Sequence, residues 1–348
     1  MPIEVGAKIE LGYARVVIDA RIGEGAMGTV YRGWLFFAPN GPRAREAPLP
    51  IAVKELHPHA LVRESIRKLF LMEADTLKRL SHPNIVRFYD LFDYQGSLAI
   101  AMEFVDGGTL EEVITRHVAR ARLAGPGHLP GIAFQRAWYY FQQLLGALAA
   151  THALNVVHRD VKPSNIVVRN DGIVKLTDFG IVRLLGEPDL ATNGTGYLAP
   201  GTGAYMSPEQ VLSQPIDGRS DLYSAAIVLY EMLAGRLPFP IEGKTELLLR
   251  LEQVEKVPPP VRTWLAQAPP VLDALFARAL AKDPTARFSN AIEMGDAFRR
   301  ALALPDTDLW RAQAEIARAA PTTPDSGMQT LRDFLVKGYG TQRMFARP

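Results

Sequence analysis

The sequence contains no cysteine. That excludes disulfides, thiolate metal sites and a cysteine nucleophile, and it fits a reducing compartment. Neither sign of charge dominates: 39 Lys and Arg against 37 Asp and Glu leave a formal charge of +2. So small an excess gives no reason to expect nucleic acid or an anionic membrane as the main partner. Long apolar runs are also missing. The most apolar stretch, "LYSAAIVLYEMLAG" from Leu222, is too short to span a membrane and carries Glu231. It reads as a helix buried on all sides of a large lobe. The N-terminal "MPIEVGAKIELG" has neither the basic nor the apolar region of a signal peptide. A soluble, cytoplasmic protein is the expectation.

The 348 residues leave room for two lobes and a sizeable core. Residues 13–37 alternate β-branched or aromatic with polar side chains, the period of strands. After the Pro- and Ala-rich "APNGPRAREAPLP" comes a further strand, "IAVKEL". From Val62 to Leu80 the period becomes helical, with Ile66, Leu69, Phe70, Leu77 and Leu80 on one face. "SHPNIVRFYDLFDYQGSLAIAMEF" reads as a turn and two strands. Beyond "VDGG" the patterns are mainly helical to about Leu304, interrupted by the short apolar runs "NVVH", "NIVV" and "IVKLTDF". A Pro/Thr-rich tail with one helical stretch, "LRDFLVKG", ends the chain.

Between the first strands stands "RIGEGAMGTV", residues 21–30, with glycines in the order G-x-G-x-x-G. A dinucleotide-binding turn would need a helix after the last glycine and an acidic residue at a strand end. Here "TVYRGWLFF" is strand material and Glu46 sits in the Pro-rich loop, which demotes that reading. A hairpin lying over phosphates and an ordinary Gly-rich turn both remain. Further on, Glu73 falls on the apolar stripe of its helix, three residues after Phe70 and four before Leu77. A carboxylate there is costly unless paired, and Lys54 in "IAVKEL" is the nearest partner in this lobe.

Taken together, these segments resemble the protein kinase family. "GEGAMGTVY" is similar to its Gly-rich loop, "IAVK" to its strand lysine and "MEAD" to the helix of its pairing glutamate. "HRDVKPSN" (158–165) resembles the catalytic loop, "DFG" (178–180) the metal-binding motif, and "SPE" (207–209) stands where Ala-Pro-Glu is common. The six occur in family order from about Tyr13 to Leu304, with a texture similar to bacterial Ser/Thr kinases. The resemblance implies an α+β, bilobal kinase-like fold: a small antiparallel β lobe with one helix (1–104), a large mainly α lobe (105–304) and a tail (305–348).

It also implies roles. Asp160 is the expected base for a substrate hydroxyl, Lys162 the cation on the transferring phosphoryl, and Asn165 and Asp178 the ligands of Mg²⁺, with Mn²⁺ as a substitute. Lys54, paired with Glu73, would hold the ATP phosphates, and Lys162 with Thr202 marks Ser/Thr specificity. The ATP site would comprise Ile22, Gly23, Glu24, Gly25, Ala26, Met27, Gly28, Thr29 and Val30 of the loop, with Ala52, Met102, Glu103, Val105 and Val167 around the adenine. Many kinases have a ribose-binding carboxylate near the position of Thr109. Here Asp106 or water is left to supply that contact.

His158, Phe179 and Leu77 resemble members of the spine that aligns the lobes. Asp221 is expected to anchor the catalytic loop, and Glu209 to pair with Arg287. Arg159 before the base resembles the arrangement for control by loop phosphorylation, with Thr192, Thr195 and Tyr197 as sites. Ser/Thr-containing proteins are the expected substrates and a dimer the setting for autophosphorylation. "TTPD" around Thr322 and Asp325 has the spacing of a phosphothreonine-reader ligand, though an unstructured linker is the simpler reading. A pseudokinase would have lost Lys54, Asp160 or Asp178, and all three are present. A small-molecule kinase would lack the peptide platform that "GTGAYMSPE" resembles.

Overall fold

The computed structural model describes residues 2–25, 28–57, 60, 64–125, 128–179 and 202–303, apart from the side chains of Ser65 and Thr202. Ala26, Met27, Gly180, Thr192, Thr195, Tyr197 and the tail with Thr322 and Asp325 therefore lie outside the described residues. Two compact units divide the rest: 2–67 with 88–104, and 68–87 with 105–303. The helix bearing Glu73 thus falls mostly in the second unit.

The first unit is an antiparallel sheet of β1 (Lys8–Glu10), β2 (Ala14–Glu24), β3 (Gly28–Phe37), β4 (Leu49–Leu56), β5 (Phe88–Tyr94) and β6 (Ser97–Glu103), in the order β1-β2-β3-β4-β6-β5. Its two faces differ. Register places Val30 opposite Lys54 and Met102 opposite Ala52, so these four share one face. The alternate residues Tyr31, Ile51, Val53, Ala99 and Ala101 belong to the buried core of the other face, with Ile3, Ile9, Val16 and Ile18.

The second unit receives α1 (Glu64–Arg79) from Lys68 onward and continues with β7 (Gly107–Thr109), α2 (Leu110–Ala124) and α3 (Phe134–Ala153). A hairpin follows, β8 (Ile166–Arg169) and β9 (Val174–Leu176), and β7 pairs with β8 to complete a three-stranded sheet. Beyond it come α4 (Pro208–Val211), α5 (Gly218–Ala234), α6 (Glu246–Glu255), α7 (Val271–Ala279) and α8 (Ala291–Ala301). As its composition requires, α5 is buried from Ser220 to Ala234, with Glu231 half-buried. Phe276 stacks edge-on against Tyr230 and Phe298, both at 5.2 Å between ring centres, and Phe298 does so against Phe141 of α3 at 5.8 Å. No helix among the described residues is long and apolar enough to cross a membrane.

Candidate active site

The run His158–Lys162 is neither helix nor strand, so its conformation must come from outside it. Asp221, in the first turn of α5, supplies it. Its carboxylate accepts the backbone N–H groups of His158 and Arg159, both at 2.8 Å, and the Nε2–H of His152 at 2.7 Å. Gly218 makes this possible, because a Cβ there would overlap the His152 ring. Arg159 is held at a positive φ of 69°, a strained state for a residue with a Cβ. Gln210 of α4 then donates to the Arg159 carbonyl at 2.8 Å.

His158 is buried, and burial pushes its imidazole below the usual range. The neutral ring closes one hydrogen-bond pattern: Nε2–H donates to the Thr177 carbonyl at 3.0 Å, while Nδ1 accepts the Asp160 N–H at 3.3 Å. The ring of Phe179 packs against it at 4.5 Å, and Leu77 is buried in the same unit.

Asp160 is presented by this loop. Its Oδ2 accepts from Asn165 Nδ2 at 2.8 Å and lies 3.0 Å from Lys162 Nζ. Asn165 Nδ2 also donates to the Asp160 carbonyl at 2.9 Å. With two oxygens facing the nitrogen, the Asn165 amide oxygen is turned away and left as an acceptor.

The β8–β9 hairpin brings Asn165 and Asp178 to one end. Ile166 pairs with Leu176, so Asn165 enters the hairpin where Thr177 leaves it, and Thr177 N–H donates to the Asn165 carbonyl at 2.9 Å. Strand β9 is fixed from behind by Gln143 of α3, whose Oε1 accepts from Val174 N–H at 3.0 Å and from Asn84 at 2.9 Å. An amide oxygen and a carboxylate from two loops are hard donors of the kind Mg²⁺ takes while keeping water ligands, so the residues fit that ion. No group of three or more His, Cys, Asp or Glu side chains able to hold a metal occurs among the described residues.

Thr202 opens a 3₁₀ turn, Thr202–Tyr205, gripped from two helices. Glu246 of α6 accepts Gly203 N–H at 2.7 Å, and Ser224 of α5 donates to the Tyr205 carbonyl at 2.7 Å. Below it, Arg287 binds Glu209 through two hydrogen bonds of 2.7 Å, with the two side chains 1% and 3% exposed.

In the first unit, Ala52 and Met102 are buried, Val30 and Glu103 half-buried and Ile22 exposed at the hairpin neck. Gly23 pairs with Val30 and Glu24 with Thr29, and Gly25 N–H donates to the Gly28 carbonyl at 2.8 Å, closing the neck of the glycine hairpin. Lys54 lies in this unit and the buried Glu73 in the second. In the second unit Val167 of β8 is half-buried and pairs with Thr109. Thr109, at the position of the family's ribose carboxylate, caps α2 by accepting from Glu112 N–H at 3.2 Å, and the ribose candidate Asp106 accepts from Asn170 Nδ2 at 3.0 Å.

Sequence reasoning missed His57. Its Nε2 lies 3.1 Å from Thr29 Oγ1 and 3.8 Å from Glu24, so one imidazole touches both arms of the glycine hairpin. Its position three residues after Lys54, just past the strand, was the one available signal.

Comparison with known proteins agrees with this architecture. The protein kinase domain family matches residues 16–298. The serine/threonine-protein kinase PknL of Mycobacterium tuberculosis is 33% identical over 311 residues, covering 87% of this chain and 71% of its own. PknJ of the same organism is 34% identical over 302 residues, 86% of this chain and 47% of PknJ. The crystal structure of the PknI kinase domain of M. tuberculosis superposes with a TM-score of 0.61 at 26% identity, covering 86% of this chain and 99% of that one. The chain belongs to the protein kinase family, and within it to the serine/threonine protein kinases.

Proposed function

We propose that this kinase transfers the γ-phosphoryl of ATP to Ser and Thr hydroxyls of proteins, with Mg²⁺ as its metal. The observation that carries the reading is the Asp160 carboxylate held by Asn165 and Lys162 on a loop that Asp221 anchors. In the reaction, Asp160 orients the substrate hydroxyl and accepts its proton as the oxygen bonds to the γ-phosphorus and the bond from that phosphorus to the bridging oxygen of the departing ADP breaks. Lys162 turns from Asp160 toward the phosphoryl oxygens as their charge shifts in the transition state. Asn165 and Asp178 hold Mg²⁺, which when bound neutralises charge on the phosphates.

Lys54 holds the phosphates, the glycine hairpin covers them, and Ala52 and Val30 on the same sheet face contact the adenine; Glu73 and Val167 are the further residues proposed for the site. The Met102–Val105 segment supplies its backbone contacts. Thr202 shapes the acceptor side, and Arg159 receives a phosphate on Thr192 or Thr195 after autophosphorylation.

Two variants test the assignment. Asp160→Asn should lower turnover by about 10²–10⁴-fold and leave the Kd of a fluorescent ATP analogue within about twofold. Lys54→Met should weaken that Kd as well. Turnover near wild type in Asp160→Asn would overturn the role of Asp160. Intact-mass measurement of the freshly purified protein tests the autophosphorylation, with an unmodified, fully active enzyme as the contrary result.

A further inference from the structure

Glu55 follows Lys54 on β4, and its side chain therefore takes the opposite face of the sheet. It is only 2% exposed. Its carboxylate has two donors among the described residues. The backbone N–H of Ile3 lies 3.0 Å from each oxygen, and the Tyr31 hydroxyl lies 3.3 Å from Oε2. Burial, and next the neighbouring Glu55 charge, hold the Tyr31 phenol above its usual range, so it remains a donor.

The segment that delivers Ile3 is itself tied down. Gly6 N–H donates to the Ile18 carbonyl at 2.8 Å, and Ile18 N–H to the Ala7 carbonyl at 3.0 Å. Ile3 and Ile9 are buried in one core with Tyr31, Val53 and Ala99. The backbone of Glu55 pairs with Thr29, and its carbonyl lies so close to Gly28 that a Cβ on Gly28 would overlap it. One residue thus joins the N-terminal segment, the Lys54 strand and the stem of the glycine hairpin.

We infer that residues 2–7, through the Ile3–Glu55 contact, form a positioning element for the nucleotide-binding face of this sheet. The inference rests on the ATP reading above. Neither residue touches nucleotide; both act through β4. The charge is what makes the coupling strong. An apolar residue at 55 would lose a little contact area if the segment left, whereas a buried carboxylate deprived of its main donor is driven toward water. Reaching water requires the end of β4 to move, and Lys54 and Gly28 move with it.

Four full-length proteins test this: wild type, Ile3→Pro, Glu55→Met and the double variant. Proline removes the one N–H and keeps the chain. Ile3→Pro should raise the Kd and KM for nucleotide by about tenfold, leave kcat at saturating ATP within about twofold, and speed amide exchange at 28–30 and 54–56. Glu55→Met should suppress most of these effects, because no buried charge then needs the donor. Equal losses from Ile3→Pro in both backgrounds, or faster exchange confined to β1 and β2, would overturn the inference. Should Ile3→Pro fold too poorly to assay, deletion of residues 2–6 is read in the same two backgrounds. The exchange arm needs no ligand, so a wild type that binds no nucleotide would sink the ATP reading while the coupling is still decided.

Discussion

Asp221 Oδ1 accepts the backbone N–H of Arg159 at 2.8 Å across 62 positions of sequence. A loop without secondary structure of its own is thereby fixed by a carboxylate in the middle of the helical unit. Burial would raise the Asp221 carboxyl, but the His152 hydrogen bond and charge, with the His158 N–H, hold it below its ordinary value of 3.8. A depressed carboxyl contributes stability above its unfolded pKa and loses it as pH falls through the folded one. Asp221→Ala should cost about 2–4 kcal/mol at pH 7, since it orphans three donors. In urea unfolding the difference from wild type should shrink as the pH drops below about 4, and turnover should fall far more than nucleotide affinity.

Gly25 and Gly28 of the hairpin answer to different constraints. Gly28 is required by the protein itself, because a Cβ would strike the Glu55 carbonyl, whereas Gly25 meets only the Gly28 carbonyl at 3.8 Å. Gly28→Ala should destabilise the protein by about 1–3 kcal/mol and weaken nucleotide binding. Gly25→Ala should leave thermal stability unchanged and act only on the ligand. Paired melting and nucleotide-titration curves separate the two.

Glu231 gives the α5 helix a pH dependence. Burial, with Glu111 adding to it, pushes its carboxyl up to about 7 against the opposing Tyr205 hydroxyl, which donates to Oε2 at 2.6 Å. The folded state therefore keeps a proton that the unfolded chain releases near 4.5. The stability is complete below that pH and declines as pH rises through 7. Glu231→Gln, which can still accept from Tyr205, should be more stable than wild type by about 1–3 kcal/mol at pH 8. At pH 4.5 the two should unfold at nearly the same urea concentration.

The Arg287–Glu209 pair is structural, and its energetics should be asymmetric. Arg287→Ala leaves Glu209 charged and buried, a loss of about 3–5 kcal/mol, whereas replacing both partners with apolar residues of similar volume costs less. Chemical denaturation of Arg287→Ala and of the double Arg287→Met, Glu209→Leu variant would reveal the order.

The expectation for Asp160, Asn165 and Asp178 came from short motifs, and the structure brings Asn165 and Lys162 onto the Asp160 carboxylate. The α1 helix was legible from its apolar stripe of Ile66, Leu69, Phe70 and Leu77. What stayed hidden depends on partners distant in the chain. Glu55 reads as an ordinary strand carboxylate until Ile3, 52 positions away, is seen to satisfy it. The glycines of "VDGG" read as a boundary, yet Gly107–Thr109 is a strand, and at Gly107 the absent Cβ admits the Val168 carbonyl. Thr109 read as a gap in the ribose site, although Thr109 with Glu112 three residues on is the capping-box pattern that the helix uses.

Phosphoryl transfer to protein Ser and Thr, with Asp160 as the base, can be tested in one reaction. The most direct measurement incubates the purified chain with Mg²⁺, γ-labelled ATP and a generic protein substrate, then identifies the labelled amino acids. Phosphoserine and phosphothreonine without phosphotyrosine are expected, reduced about 10²-fold or more in Asp160→Asn. Label on tyrosine alone, or equal labelling by the Asp160→Asn protein, would contradict this reading.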